Sequence, residues 1–69
     1  DFMNIKIDRK SGVSIYIQVK NQIMNEIKNG TLKIGEKMPT ERELAEKINV
    51  SRNTVSSAYK LLEQEGVLI

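Results

Sequence analysis

TERELAEKINVSRNTVSSAYKLLEQEG, residues 40–66, is the stretch from which the rest of the chain can be read. It predicts two helices joined by a tight turn, at about 41–48 and about 52–65. Thr40 is placed to accept a hydrogen bond from an early backbone N–H of the first helix. Glu43, three residues on, can reach back, which is the pattern of a capping box. Leu44, Ala45 and Ile48 fall on one helical face. Asn49 tolerates the left-handed conformation that a sharp turn needs. Ser51 is the expected N-cap of the second helix, and Val55, Ala58 and Leu62 are its buried face. Gly66 is its stop, because glycine favours the position just past a helix C-terminus.

A short helix, a turn of three to four residues and a second helix with a polar N-terminal half match a helix-turn-helix. In that motif the second helix enters the DNA major groove and its first residues meet the base edges. Here those residues are Ser51, Arg52, Asn53, Thr54 and Ser56. All five can hydrogen-bond and none is acidic; Glu63 and Glu65 lie at the far end. A carboxylate facing phosphates would be repelled. The plain alternative is that Ser-Arg-Asn-Thr is the capped, solvated first turn of an ordinary helix. The turn spacing, the small Ala45 at the helix crossing and the acid-free polar cluster together outweigh it.

The remainder is bounded by size and composition. The 69 residues allow one small domain, which buries only about 60% of its unfolded surface and has a marginal core. With no cysteine and no histidine, disulfides and the commonest zinc sites are excluded. A cysteine-free chain fits a reducing cytoplasm. No apolar run approaches the roughly 20 residues of a membrane span, and DFMNIKIDRK has no long apolar core, so it does not read as a signal peptide. The net charge is only +2, from 11 basic and 9 acidic residues, so distribution matters more than the sum. Of the three arginines, Arg9, Arg42 and Arg52, two sit on the helix pair. Their planar fork suits phosphate and guanine in a way lysine cannot copy.

Residues 1–13 form an N-terminal arm. Ile5 and Ile7 alternate around Lys6, which predicts a short strand or an extended arm between Phe2 and Asp8, and Lys10-Ser11-Gly12 is a turn signal. Residues 14–29 predict the first long helix, with Tyr16, Val19, Ile23 and Ile27 as one apolar stripe flanked by Ile15 and Met24. Gln18, Asn21, Gln22, Asn25 and Glu26 occupy the other side. That stripe is core packing rather than a ligand box. Gly30 ends the helix. Thr31 to Pro39 is a connector with a turn at Gly35, a short strand expected at Lys37-Met38, and Leu32 and Met38 as core contacts. Val67-Leu68-Ile69, apolar and β-favouring, reads as the first strand of a hairpin whose rest is not in this sequence.

Several of these pieces together resemble one family. They are Tyr16-Ile17-Gln18-Val19, Ile27-Lys28-Asn29-Gly30-Thr31-Leu32, the run from Ile34 to Ala45, Val50-Ser51-Arg52-Asn53-Thr54-Val55, Ala58-Tyr59 and Leu62-Glu63-Gln64-Glu65-Gly66. In this order and spacing the chain resembles, over about residues 15–69, the N-terminal domain of GntR-type bacterial transcriptional regulators. The resemblance implies a winged helix-turn-helix over residues 14–69: mainly α, three helices and a small β wing, here truncated at its C-terminal end. It implies sequence-specific binding of double-stranded operator DNA. Arg42 and Arg52 match arginines that contact DNA in such regulators, and Asn53 and Thr54 match further contact positions. Ile34 stands where the family usually has proline and Thr40 where it often has serine; Thr40 keeps the cap. Ser56 stands where many members carry a basic residue. The Ser-Arg-Asn-Thr-Val and Ala-Tyr pieces look most like the MocR and YtrA types. The former fuse this domain to a pyridoxal-phosphate-binding domain, the latter to a short helical dimerisation segment.

The resulting expectation is the DNA-reading domain of a transcription regulator. Its effector or oligomerisation domain lies outside this chain, and the full-length protein is a homodimer. The DNA-binding residues are Thr40, Arg42, Ser51, Arg52, Asn53, Thr54 and Ser56. The segment itself should hold no cofactor and no metal, meet no membrane and work in the cytoplasm. The runner-up is a winged-helix protein-interaction module, since fold does not fix function; it predicts exposed apolar residues on the second helix of the pair. An enzyme is not expected. Glu41, Glu43 and Glu46 read as charge complementing a helix N-terminus, and nothing positions a substrate beside them.

Overall fold

The computed structural model describes residues 4–32 and 37–67. Three helices follow in order: α1 (Ile15–Lys28), α2 (Glu41–Ile48) and α3 (Arg52–Gln64). The expected helices are therefore present, with Ser14 and Asn29 as the caps of α1 rather than members of it. α3 is the central element and packs against both α1 and α2. The core is Ile5, Val19, Ile23, Leu32, Leu44, Ala45, Val55, Ala58 and Leu62, and Val19, Ile23, Leu44, Val55 and Leu62 are fully enclosed. Met38 packs on this core as expected.

The turn between α2 and α3 is built as the residue types dictate. Thr40 Oγ1 accepts from the Glu43 N–H at 3.1 Å, and Glu43 Oε1 accepts from the Thr40 N–H at 2.8 Å. These two bonds hold the Glu43 carboxyl below the usual carboxylate range, the backbone bond from Thr40 first and its side-chain bond second. Asn49 takes the left-handed conformation, φ 59°, and the Val50 N–H bonds the Ala45 carbonyl at 3.0 Å. α3 stops at Gly66, φ 76°. There the Gly66 and Val67 N–H groups reach back to the Glu63 and Leu62 carbonyls, the paired bonds of a Schellman motif. Thr40→Ala removes the cap hydroxyl but leaves the core, so it should cost about 1 kcal/mol in urea unfolding. A loss within error would mean that the α2 terminus does not depend on this cap.

The segments outside the helix pair depart in part from expectation. Of the two alternatives for the arm, the strand does not form: residues 4–8 have no regular secondary structure, and Ile5 is part of the core. The partner of this backbone is a pair of side chains one helical turn apart. Gln22 Oε1 accepts from the Lys6 N–H at 2.9 Å and its amide donates to the Lys6 carbonyl at 2.6 Å. Gln18 does the same to Asp8, at 2.9 Å each way, and also donates to Ser11 Oγ and the Val13 carbonyl. The two glutamines are thus half-buried ties between α1 and the arm. Arg9 adds a bond of 2.6 Å from Nη2 to the Asn49 carbonyl, fastening the arm to the turn of the helix pair.

Tyr16 does not face the core; it is 38% exposed. Lys37-Met38 forms no strand. The Gly35 turn, the Ile34 departure, Phe2 and the Leu68-Ile69 part of the expected wing lie outside the described residues, and among those described no strand occurs. Val67 is half-buried against the core.

Candidate nucleic-acid interface

The N-terminal half of α3 is presented to solvent by the burial of its opposite face. Val55, Ala58 and Leu62 are enclosed, so the helical repeat turns Arg52, Asn53 and Ser57 outward, where all are exposed, with Ser56 half-exposed beside them. Ser51 caps the helix: its Oγ accepts from the Thr54 N–H at 3.1 Å and lies 2.8 Å from Thr54 Oγ1. Thr40 and Ser51 therefore spend acceptor capacity on caps, and the Thr54 hydroxyl shares a hydrogen bond with that of Ser51. Arg42, Arg52, Asn53 and Ser56 have their reach left for a partner.

The two arginines begin α3 and the first turn of α2. Arg52 Nε lies 3.7 Å from Glu41 Oε1, and Arg42 Nε lies 3.8 Å from Glu46 Oε2. Both guanidinium groups remain largely exposed. Pairs of this kind contribute between about 0 and 1 kcal/mol, so neither arginine is held back from a stronger acceptor. Glu65, the acid at the far end, is drawn to Lys20 of α1 at 3.8 Å.

Tyr59 fixes the start of α2 to α3. Its hydroxyl donates to the Pro39 carbonyl at 2.7 Å. Burial, then the charges of Glu41 and Glu43, push its pKa up to about 12, so it stays a neutral donor at physiological pH.

The structure brings all seven expected residues to the α2 and α3 N-termini and adds three that the sequence did not single out. Glu41 is the partner of Arg52 across the turn; no helical spacing signals that contact. Ser57 follows Asn53 by four residues, a spacing that did signal a shared face. Tyr16 joins it from α1: Ser14, Ile15 and Tyr16 line an open hollow with Asn53, Thr54 and Ser57. Among the described residues no group of His, Cys, Asp and Glu is arranged to hold a metal ion, and no helix is long and apolar enough to cross a membrane.

Comparison with known proteins follows the same lines. Residues 9–69 match the model for bacterial regulatory proteins of the gntR family. The chain is 45% identical over 64 residues to the HTH-type transcriptional repressor YtrA of Bacillus subtilis, covering 93% of this chain and 49% of that protein. It is 41% identical over 64 residues to the repressor NagR of the same organism, 93% of this chain and 26% of that one. The chain thus spans about half the length of the first of these relatives and about a quarter of the second. Among solved structures, YtrA from Sulfolobus acidocaldarius, a GntR-family transcription factor, superposes with a TM-score of 0.88 at 47% identity, over 90% of this chain and 66% of that one.

Proposed function

The chain belongs to the GntR family of bacterial regulatory proteins, and on that premise we propose that it reads operator DNA with the first two turns of α3. The observation that carries this is an exposed, capped and acid-free helix start, Ser51 to Ser57, with the exposed Arg42 and Arg52 beside it. Arg52 and Asn53 are assigned to base edges and Ser56 to the groove. Arg42 and the hydroxyls of Thr40, Ser51 and Thr54 are assigned to the phosphates that set register.

The protein-interaction alternative requires apolar residues exposed on α3. Val55, Ala58 and Leu62 are enclosed instead, and Tyr59 is half-buried. The relatives, too, are named as transcriptional repressors. The likeness to proteins of the YtrA name supports that subfamily over the MocR type.

The reading extends to the whole protein. Residues 14–69 are proposed as the winged helix-turn-helix, with a small β wing following α3; the half-buried Val67 supports this. The remainder of the protein, in relatives of roughly twice to four times this length, supplies an effector or dimerisation segment. A homodimer follows because one reading helix covers a half-site, and two-fold pairs bind half-sites about one helical turn apart, 34–36 Å. The proposed setting is the cytoplasm, and no cofactor is assigned to this segment.

The test is a fluorescence titration of a short duplex, selected by the chain from a randomised library, at several salt concentrations. Affinity should fall with salt with a log–log slope near −0.9 per phosphate contacted. Binding that ignores salt, or does not distinguish the selected duplex from an unrelated one, would remove this reading.

A further inference from the structure

Arg9 crosses from the arm to the helix pair, where its Nη2 donates to the Asn49 carbonyl at 2.6 Å. That carbonyl belongs to the C-cap of α2, a helix end that carries partial negative charge and carbonyls without helical partners. The base from which Arg9 reaches is held on both sides. Asp8 is tied to Gln18 through its N–H and its carbonyl, and the Lys10 N–H bonds Asp8 Oδ1 at 3.0 Å. Ile5, in the core, anchors the same segment. At the other end of α2, Tyr59 of α3 donates to the Pro39 carbonyl at 2.7 Å. α1 and α2 pack on α3 and not on each other, and Arg9 links the arm, itself tied to α1, to the turn of the helix pair.

Resting on the proposal that α3 reads bases while Thr40 and Arg42 at the start of α2 meet phosphates, we propose that Arg9 is a positioning residue for sequence recognition. It touches no DNA. It fixes the tilt of α2 against α3, and so the spacing between the phosphate-binding and the base-reading groups. α2 has eight residues, a length of about 12 Å at 1.5 Å per residue. A tilt of about 5° that pivots at Asn49 displaces its first turn by about 1 Å, beyond the roughly 0.5 Å within which a binding constellation has to be held. Tyr59 restrains that first turn and Arg9 restrains the pivot.

This role has a signature of its own. An unrelated duplex is held through its phosphates and lets the register adjust, whereas a selected duplex needs both sets of contacts at once. Loss of Arg9 therefore falls on the selected duplex, and because its guanidinium neutralises no phosphate the salt slope stays the same. Wild type, Arg9→Ala, Arg9→Met, Lys10→Ala and Arg52→Ala should be titrated with a library-selected duplex and an unrelated duplex over a range of salt, at a temperature where circular dichroism shows every variant folded. Arg9→Ala is expected to weaken the selected duplex about three- to tenfold, the range for one lost hydrogen bond, and the unrelated duplex by less than about twofold, at constant slope. Arg9→Met keeps the aliphatic stem without the donors and should do the same, so it carries the test if the alanine variant is less stable. Lys10→Ala removes a neighbouring charge but keeps the main-chain bond to Asp8; it should bind like wild type. Amide exchange in the free protein gives a second reading. The Val50 N–H, bonded to the Ala45 carbonyl across the turn, should exchange faster in both Arg9 variants.

If both Arg9 variants bind like wild type while Arg52→Ala loses affinity, the inference is wrong and the reading of α3 stands. Equal losses on both duplexes, with a slope lower by about one, would make Arg9 a phosphate contact and overturn the positioning role. A lower melting temperature with unchanged selectivity and unchanged Val50 exchange would reduce the bond to one that stabilises the fold alone. A loss in Lys10→Ala that matches Arg9→Ala would trace the effect to the charge of the arm and not to the tie. Wild type that does not distinguish the two duplexes would sink the reading of α3 itself, and this role with it.

Discussion

Arg52→Ala will lower affinity for a selected duplex by about 1–3 kcal/mol and relax selectivity at one base pair, the cost of deleting a bidentate contact to guanine. The geometry argues for that atom-level role. Arg52 opens α3, where the reading residues of such a helix lie. Its Nε lies 3.7 Å from Glu41 Oε1 and the side chain is largely exposed, so this pair leaves the two terminal nitrogens for another acceptor. Glu41 thus steadies the guanidinium without consuming the pair of donors that matches guanine O6 and N7. Arg42, on α2 and paired with Glu46 one turn on, is the control. Its removal should weaken all sequences alike and reduce the salt slope by about one. Equal losses on selected and unrelated duplexes for both variants would strip Arg52 of its base-reading role.

Leu62→Ala is expected to cost about 2–5 kcal/mol of folding free energy, the range for a leucine truncated in a tight core. Leu62 is fully enclosed on α3, the element on which α1 and α2 both pack. The loss is large for so short a chain. At roughly 0.05–0.15 kcal/mol per residue the whole domain has only about 3–10 kcal/mol to lose. Urea unfolding followed at the helical circular-dichroism band should show the midpoint fall steeply, with a sizeable unfolded fraction in water. Lys60→Ala, exposed on the same helix, should shift it by less than about 0.5 kcal/mol. A Leu62→Ala variant as stable as Lys60→Ala would mean that α3 is not the centre of the core.

The parts legible in the sequence are those whose cause is local. Thr40 and Glu43, Asn49, Ser51 and Gly66 each announce a backbone conformation within four residues of themselves, and each was found in it. Buried faces repeat at helical spacing, so Leu44, Ala45, Val55, Ala58 and Leu62 could be named in advance. What could not be named depends on contacts between distant residues. Periodicity placed Tyr16 on the stripe of Val19 and Ile23, but it cannot say how wide a strip α3 covers, and Tyr16 falls beyond its edge. Gln18 and Gln22 fall on the side of α1 opposite the apolar stripe, and their polarity says nothing about a partner 10 or 16 residues away. The Arg9 bond to the Asn49 carbonyl spans 40 residues, and the Glu41–Arg52 pair crosses a turn. Neither leaves a local trace. Of the candidate site, the residue types were readable and the companions were not.

At Lys6 and Asp8 the two glutamine amides bind main chain alone, through the N–H and carbonyl of each residue. Their grip is therefore indifferent to which side chains those two positions carry. Mutational drift can rewrite the charge at Lys6, lysine to glutamate for example, without loosening this grip, because the amide–peptide pair offers nothing for that side chain to disturb; the Asp8 carboxylate, which accepts from the Lys10 N–H, has a separate task. The exception is proline, which has no N–H to give. At these two contacts the specificity resides in Gln18 and Gln22, so the burden of inheritance falls there on the helix, while Ile5 and Arg9 remain the arm's own fixed points.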